Sequence, residues 1–322
     1  MSGFIGRLIQ VGISKETQRG TAVAVPTFWV DKMNVNIENK PEIVIDESDI
    51  GRIEDSIEGK IVLEGAEGEI AGKVLDKSFG LLLSAAIGSE STTLVETTVT
   101  KHTFSVKNDA QHPSLTIEVK NPNEQLAYAL AMLETLEIRA EVGKYVEYTA
   151  AFKAKKGVTG TGTPSYTDEN NFIAKHLTLK MADTIAGLTA ASAIPARSVT
   201  LRIIKNLERN NVFGSLNPAD ILNKQFGIEA TIVLLHSGVV YKGYTGGKKA
   251  IRIDIKNTDA TIGVAQNPQL TFDLAQAIFT AWEKTTGQGD LSMETITAKG
   301  TYKKTESKML DCNLINLFVN AY

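Results

Sequence analysis

The side chains that most often carry catalysis or bind metals are scarce in this sequence and do not cluster. A helical pair of metal ligands, as in H-E-x-x-H, needs two histidines a few residues apart on one face. The histidines lie far from one another: His102, His112, His176 and His236. The single cysteine, Cys312, excludes an internal disulfide and a cysteine-built zinc site, and we expect it to be a small buried apolar side chain. These residues predict no metal and no cofactor.

Two glycine-containing segments have the composition of phosphate-binding loops. Gly160-Thr161-Gly162 lacks the strand before it and the helix after it that a dinucleotide site needs, and we interpret it as part of a flexible connection. Gly246-Gly247-Lys248-Lys249 is interpreted as a basic hairpin turn. Neither G-x-S-x-G nor G-x-x-x-x-G-K-[ST] occurs in the chain. The motifs therefore give no reason to predict an enzyme.

Asp and Glu are the most numerous ionisable side chains, and they are unevenly distributed along the sequence. The chain has 34 Lys and Arg against 37 Asp and Glu, a net charge of -3, which argues against a protein that wraps nucleic acid by neutralising phosphates. Residues 1–160 hold 17 bases against 23 acids, and eleven of those acids fall within 42–76. A hydrolase that assembles two distant carboxylates stays an alternative, although nothing in the sequence selects a pair.

Alternation of apolar and polar residues dominates the chain and indicates half-buried antiparallel strands. Examples are Leu115 to Val119, Val199 to Ile203 and Ile251 to Ile255. Residues 136–149 predict a long hairpin with its turn at Gly143-Lys144. The fold class expected is therefore mainly β.

Four segments have helical signals in place of alternation. The apolar block Phe79 to Gly88 predicts a short helix that ends at Gly88. Residues 121–133 begin with Asn-Pro and place leucines at helical spacing, and 273–284 repeat apolar residues every four positions. Residues 217–222 predict a further short helix capped by asparagine. We thus expect one short flanking helix in each half of the chain.

Several short matches predict an internal duplication. Residues 57–63 match 228–234 with five of seven positions identical, and each is followed by a returning segment, 69–73 and 240–243, that predicts a hairpin. Further along, 104–108 match 253–257 and 113–116 match 268–271 in the same order. The first copy then carries the apolar block 79–88 that the second lacks. Two tandem modules are expected.

The division that follows from these matches has four parts. They are an N-terminal arm at 1–26, a first module at 27–156, a linker rich in Gly, Thr and Pro at 157–171 and a second module at 172–322. The chain shows no apolar run long enough to span a membrane, and its start lacks the pattern of a signal peptide. A soluble cytoplasmic product is expected.

Several stretches resemble a known family. Residues 6–22 and 26–30, the middle segment 136–156, and the stretches 223–229 and 249–255 of the second half are similar to the tail tube proteins (major tail proteins) of bacteriophages with long, non-contractile tails. The resemblance implies a tail-tube fold in each module, that is, a β-sandwich or half-open barrel with a flanking helix. It also implies a structural virion protein of the tail that is assembled in the host cytoplasm.

The same resemblance implies how such a protein acts. Rings of six modules, here three copies of a duplicated chain, stack into a tube that conducts double-stranded DNA and contacts tape-measure, tail terminator and distal tail proteins, without a membrane. We expect the arm 1–26 to contact the next ring. An acidic wall would let DNA slide without adhering, and the candidate lumen-facing acids are Glu64, Glu67, Glu69, Glu137, Glu141 and Glu147. A solvated outer face is the alternative for these acids.

Two other readings remain open beside the tube. A distal-tail or baseplate ring protein would share the fold and form a single closed ring. A β-sandwich adhesion or carbohydrate-binding module would require exposed clusters of aromatic residues, whereas the aromatic residues here are scattered and make up 7% of the chain.

Overall fold

The computed structural model describes residues 5–322, and antiparallel strands account for most of them. The first half contains twelve strands: β1 Gln10–Lys15, β2 Phe28–Val30, β3 Lys32–Asn39, β4 Glu42–Asp46, β5 Glu58–Leu63, β6 Ala66–Lys73, β7 Gly88–Glu96, β8 Val99–Val106, β9 Leu115–Lys120, β10 Gln125–Glu141, β11 Glu147–Ala154 and β12 Val158–Thr159. The second half contains eight: β13 Leu177–Ala182, β14 Ala193–Ile194, β15 Ala196–Asn210, β16 Asp220–Leu235, β17 Lys248–Lys256, β18 Gln269–Thr285, β19 Met293–Gly300 and β20 Leu310–Asn316. The mainly β class is confirmed.

One long antiparallel sheet runs through both halves of the chain. Its strand order is β3-β6-β11-β10-β15-β16-β19-β18. The two halves meet where β10 pairs with β15, from Thr135 opposite Ile204 to Glu141 opposite Ser198. Along each strand the side chains alternate between a buried face and a wet face, as expected for a sheet that packs on one side only. We call this the long sheet.

A second layer covers the buried face, and two strands belong to both layers. The N-terminal part of β10 pairs with β9 and β12, and β9 continues to β1 and β2. The N-terminal part of β18 pairs with β17 and β20, and β17 continues to β13 and β14. Each shared strand has a bulge where it enters the long sheet, between Leu133 and Thr135 and between Phe279 and Ala281. A bulge bends and twists a strand, which lets one strand serve two layers.

The two halves have the same strand order. The strands β1, β2, β3, β6, β9, β10, β11 and β12 correspond, in chain order and in pairing, to β13, β14, β15, β16, β17, β18, β19 and β20. The bulges also coincide, because β3 slips between Lys32 and Asn34 and β15 slips between Ala196 and Ser198. Two halves that resembled each other only by chance would not be expected to have bulges at the same positions.

The register of this correspondence differs from the sequence matches. Ala66–Lys73 of β6 corresponds to 228–235 of β16, since each pairs in the same way with β11 or β19, so 57–63 is not the counterpart of 228–234. The two predicted hairpins are wrong as well: β5 pairs with β4, and 240–243 lie in a loop. The downstream matches are also shifted, because β9 corresponds to β17 and β8 has no counterpart. Because all these strands alternate apolar and polar residues, short sequence identities can arise between strands that do not correspond in the structure.

Only one of the four predicted helices forms. Helix α1, Phe79–Ile87, is buried along its whole length and ends at Gly88, whose φ of 102° is left-handed. Residues 121–133 lead into β10, 273–284 lie in β18, and 217–222 form a turn that leads into β16. The expected helix in the second half is therefore wrong. Parts of β10 and β18 are covered on both faces, so apolar residues occur at nearly every position and mimic helical spacing.

The first half contributes an insertion that clamps the second half. Helix α1 and the hairpin β7–β8 lie between β6 and β9 in sequence, and β8 pairs with β20 of the second half. The ring of Tyr322 fills the space over Gly80 of α1, where a Cβ would collide with the ring. Within residues 5–322 no helix is both long and apolar enough to cross a membrane.

Lys205 of β15 joins the two halves from inside the core. Its Nζ is buried and donates to the carbonyl oxygen of Ala85 near the C-terminus of α1, at 2.5 Å. Burial, followed by the nearby charge of Arg19, lowers the pKa of Lys205 from 10.5 to about 7. Burying the cation is therefore costly below about pH 7, and the cost falls as pH rises toward 10.5, since only the unfolded chain remains protonated there.

This shift predicts how the stability of a Lys205→Met variant compares with wild type. Between pH 6.5 and 9.5 we expect the unfolding free energy of wild type to rise relative to the variant by up to about 4 kcal/mol, at roughly 1.36 kcal/mol per pH unit. Urea denaturation of both proteins across this range measures the difference, from which titrating groups that do not interact with Lys205 cancel. Burial, followed by the charge of Lys205, lowers the pKa of His112, so His112 contributes at the acidic end of the range. A difference that stays constant with pH would show that Lys205 is charged throughout.

Candidate functional site

The wet face of the long sheet brings together most of the predicted acids. Glu67 and Glu69 lie on β6, Glu137 and Glu141 on β10, and Glu147 on β11. Rows of directly opposed residues cross the sheet and show that these side chains share one face: Glu69 opposes Ala151, which opposes Thr135, and Glu137 opposes Thr149, which opposes Ala71. These five acids therefore form part of one surface.

Basic residues are interspersed on the same face. Lys73 opposes Glu147, and Glu147 in turn opposes Arg139. Arg202 stands between Glu137 and Glu229 in one row. The acids of the face outnumber its bases. The acids are Glu38, Glu67, Glu69, Glu137, Glu141, Glu147, Glu229 and Glu283, and the bases are Lys73, Arg139, Lys153, Arg202 and Lys299.

Ion pairs neutralise part of this face locally. Glu141 accepts from Lys144 at 3.1 Å and from Arg139 at 2.9 Å, and these hydrogen bonds, that from Lys144 first, lower the pKa of Glu141. Glu67 lies 3.1 Å from Arg209. Exposed pairs of this kind contribute little to stability. Their effect is to make the face mixed in charge with an acidic excess, and not uniformly acidic.

Glu64 differs from the other predicted acids. It lies between β5 and β6, its carboxylate is 2.7 Å from Nζ of Lys156, and only 13% of its side chain is exposed. Its backbone N–H donates to the carbonyl oxygen of Leu216 at 2.8 Å. Glu64 thus fixes the base of a hairpin against the loop that joins β15 to β16, away from the wet face.

That hairpin, β4 and β5 with their connection, residues 42–63, is the second notable surface, and we call it the arm. Its strands pair only with each other, and both faces are open. Ile43, Ile45 and Ile61 share one face and are 60%, 57% and 45% exposed. Acids far outnumber bases in the arm. An isolated two-stranded hairpin is marginal in water, and exposed isoleucines of this density mark an interaction site.

The opposite end of the long sheet has complementary properties. The β10–β11 turn and the loop after β16 lie at the end where Glu147 opposes Lys73, far from the arm. Val142, Val239 and Val240 are exposed there, as are the basic residues Arg197 and Lys242. This end is apolar and basic where the arm is apolar and acidic.

The N-terminal segment is partly built into the fold. Strand β1 is buried and pairs with β9 and β2, so 10–15 belong to a sheet and not to a free arm. Ile5 and Leu8 are exposed, and the carbonyl of Gly6 accepts from Lys32 Nζ at the end of the long sheet that lies opposite the arm. Residues 1–4 of the predicted N-terminal arm, 1–26, lie outside the described residues.

The two glycine-containing segments have structural surroundings. Gly162 donates its N–H to Glu118 at 2.7 Å, and a Cβ at Gly160 would collide with the same carboxylate. An acid at this position would repel a phosphate, in agreement with the interpretation as a connection. Gly246 has a φ of 78° and precedes β17, which does not pair with β16, so this segment is a turn but not a hairpin turn.

The histidines and the cysteine lie in separate environments. His102 is buried with Nδ1 3.0 Å from Glu90, His176 lies 3.1 Å from Asp259, and His236 lies 3.5 Å from Glu294. Burial raises the pKa of the Cys312 thiol. Over residues 5–322 no group of three or more His, Cys, Asp and Glu is arranged to hold a metal ion.

Comparison with known proteins assigns the chain to a family. No curated protein matches the chain. A family model described as phage tail tube protein matches residues 6–300, which include the arm, the whole long sheet and both second layers except β20. The chain therefore belongs to the phage tail tube protein family.

Proposed function

We propose that this protein is a non-catalytic subunit that polymerises into the phage tail tube, with three copies in each ring. The observation that carries the proposal is the long sheet, in which eight strands span both halves and the two edge strands, β3 and the C-terminal part of β18, each pair on one side only. A sheet with open edges and one wet face is completed by closure with other copies, because closure satisfies the edge hydrogen bonds. We take 160–171, the part of the predicted linker 157–171 that follows β12, to join two modules, the first of which begins with β1.

Strand spacing relates the number of copies to the width of the channel. Three copies contribute 24 strands, which at about 4.8 Å each give a circumference of about 115 Å and a diameter of about 37 Å between backbones. Tilt widens this further. Two copies give about 25 Å before side chains are subtracted, little more than the roughly 20 Å width of duplex DNA. Three copies therefore leave room for the duplex even without tilt, whereas two copies would do so only if their strands were strongly tilted.

The wet face is proposed to line the channel. The other face of the long sheet is covered by the second layers and α1, so closure with the second layer outside places Glu69, Glu137 and Glu147 in the lumen. An acidic excess repels the DNA backbone, while interspersed bases such as Arg139 and Arg202 keep the potential moderate. The channel would first hold the tape-measure protein, and DNA would later slide through it without sequence-specific contacts.

Stacking of rings is proposed to use the arm. Its apolar and acidic surface matches the exposed valines and the bases Arg197 and Lys242 at the far end of the sheet in the next ring. Ile5 and Leu8 lie at that same end, so the start of the chain contributes to the contact as a receiving surface. At the two ends of the tube these surfaces would meet the tail terminator and the distal tail protein.

Negative-stain microscopy of the purified protein tests the function. We expect hollow tubes with a regular axial repeat and, in averaged end views, a ring with three major and three minor lobes, because the arm occurs once in each copy. Isolated rings that never stack would favour a distal-tail or baseplate ring protein. Monomers that persist at high concentration would overturn both readings and favour an adhesion or binding module.

A further inference from the structure

We propose that neighbouring copies join by antiparallel pairing of the C-terminal part of β18 in one copy with β3 of the next, in the register already present inside the chain between β10 and β15. The inference rests on the proposed ring, and it specifies which strands meet and which residues oppose each other. It follows from the repeated strand order together with one joint that the structure displays directly.

The joint between the halves supplies the template. The part of β10 that follows its bulge pairs with β11 on one side and with β15 on the other. In the repeated order, β18 corresponds to β10 and β3 corresponds to β15. The counterpart of the β10–β15 joint is therefore β18–β3. Within one copy these strands lie at opposite edges of the long sheet, so only a second copy can form it.

Both edge strands have an open side. Strand β3 pairs with β6, and β18 beyond Thr280 pairs with β19. Glu38, Glu283 and Lys284 are exposed at these edges. The hydroxyl of Tyr128 donates to the carbonyl of Ile37 at 3.3 Å, a long hydrogen bond. Open edges in a folded protein are templates for another strand.

The shared bulges fix the register residue by residue. The bulge of β10 precedes Thr135 and that of β18 precedes Ala281, so Glu137 corresponds to Glu283. The bulge of β3 precedes Asn34 and that of β15 precedes Ser198, so Glu38 corresponds to Arg202.

Glu137 opposes Arg202 in the template, and Glu283 of one copy therefore opposes Glu38 of the next. The neighbouring rows are Trp282 with Asn39, Lys284 with Ile37, and Thr285 with Asn36.

This register gives the joint between copies a different chemistry from the joint inside the chain. An opposite-charge pair, Glu137 with Arg202, is replaced by two acids, Glu283 and Glu38, and like charges directly opposed weaken a strand pair. Lys40 lies 3.0 Å from Glu38 and would be a diagonal neighbour of Glu283, so it offsets part of that repulsion. The clamp of α1 and β7–β8 is also specific to the joint inside the chain.

Cysteine crosslinking tests the register, and the chain offers matched controls. The natural Cys312 is buried and does not compete. A Glu38→Cys, Glu283→Cys variant, oxidised after assembly, is expected to form intermolecular disulfides and to run as dimers and covalent trimers on a non-reducing gel, with most of the protein crosslinked. A Glu137→Cys, Arg202→Cys variant is the positive control, because its pair is opposed inside one chain and should form an intramolecular disulfide at similar yield.

A shifted pair controls for collisions between copies. Asn34→Cys with Glu283→Cys places the two thiols four residues out of register, about 13 Å along the strand, and we expect at least tenfold less crosslinking. Equal crosslinking of the shifted pair, or none with Glu38→Cys, in tubes of normal appearance would overturn the register and leave the tube function intact. If neither rings nor tubes form with the wild-type protein, it is the proposed function that fails.

Discussion

A variant with Ile43→Thr, Ile45→Thr and Ile61→Thr is expected to lose tubes altogether while it still folds. These side chains form one apolar face of the arm, and threonine retains the preference for strands. Burying one fully exposed isoleucine contributes about 1.5 to 3 kcal/mol. Because these three are about half exposed before stacking, the loss in each arm is about 2 to 5 kcal/mol, or roughly fifty- to several-thousandfold in the stacking constant. Sedimentation velocity and negative-stain microscopy measure the change from tubes to rings or smaller species.

The matched control removes the same kind of surface elsewhere. Leu94, Val95 and Val264 are exposed and lie outside the arm, and their substitution by threonine is expected to leave tube length and axial repeat unchanged. Circular dichroism of both variants checks that the strand content is retained. Normal tubes from the arm variant would show that stacking does not depend on this face, and tubes lost from both variants would point to general apolar association.

Fold class was predictable because it depends on a local property that repeats many times. Alternation along segments such as 199–203 specifies a half-buried strand whatever its partner, and the tail tube resemblance is confirmed by the family match. Gly88 was informative for the same reason, since a left-handed residue after an apolar block ends a helix regardless of context.

The errors arose where partners outside the segment decide the structure. Residues 126–133 carry leucines at helical spacing, yet pairing of β10 with β9 and β11 makes them a strand buried on both sides. In the repeat, residues 57–63 resemble 228–234, but the structure assigns the counterpart role to Ala66–Lys73. Register is decided by pairing across the sheet, and a single sequence does not contain that information.

The candidate site was predicted in part for a similar reason. Strand alternation places Glu137, Arg139 and Glu141 on one face without knowledge of the partner, and the structure agrees. Glu64 lies between β5 and β6, where strand alternation does not apply, and its carboxylate contacts Lys156. The arm was missed, although its signal was present as isoleucines among many acids in 42–63. The sequence of a strand with apolar residues does not show whether the strand packs against the core or projects from it.

The asymmetry between the halves has a consequence for assembly. Inside the chain, the β10–β15 joint is supported by the covalent connection, by the clamp of α1 and β7–β8, and by Lys205. The joint proposed between copies would have strand pairing without these supports. In the proposed assembly a ring would therefore open between copies and not between halves, and the folded single chain would be the unit that is added during growth of the tube.

Charge reversal on the wet face is expected to make the channel retain DNA. Glu69→Lys, Glu137→Lys and Glu147→Lys together change the charge by +6 per copy and turn an acidic excess into a basic one, and cationic surfaces hold phosphates in a salt-dependent manner. In phage particles that carry the variant tube, we expect DNA ejection triggered in vitro to slow by about tenfold or more at low salt. The rate should recover at high salt, since the Debye length falls from about 30 Å at 0.01 M to about 3 Å at 1 M.

The control variant has the same change in charge at three positions outside the wet face. Glu124, Asp168 and Glu306 are exposed outside the long sheet, and their substitution by lysine is expected to leave the ejection rate within about twofold of wild type, because charges that do not line the channel are farther from the DNA and attract it less. Microscopy first establishes that each variant assembles, and glutamine at the same three positions gives a milder series if lysine prevents assembly. Tubes of normal appearance that eject DNA at the wild-type rate would place these acids on the outer face, and the wet face of the long sheet would then have to be assigned to the outside of the tube.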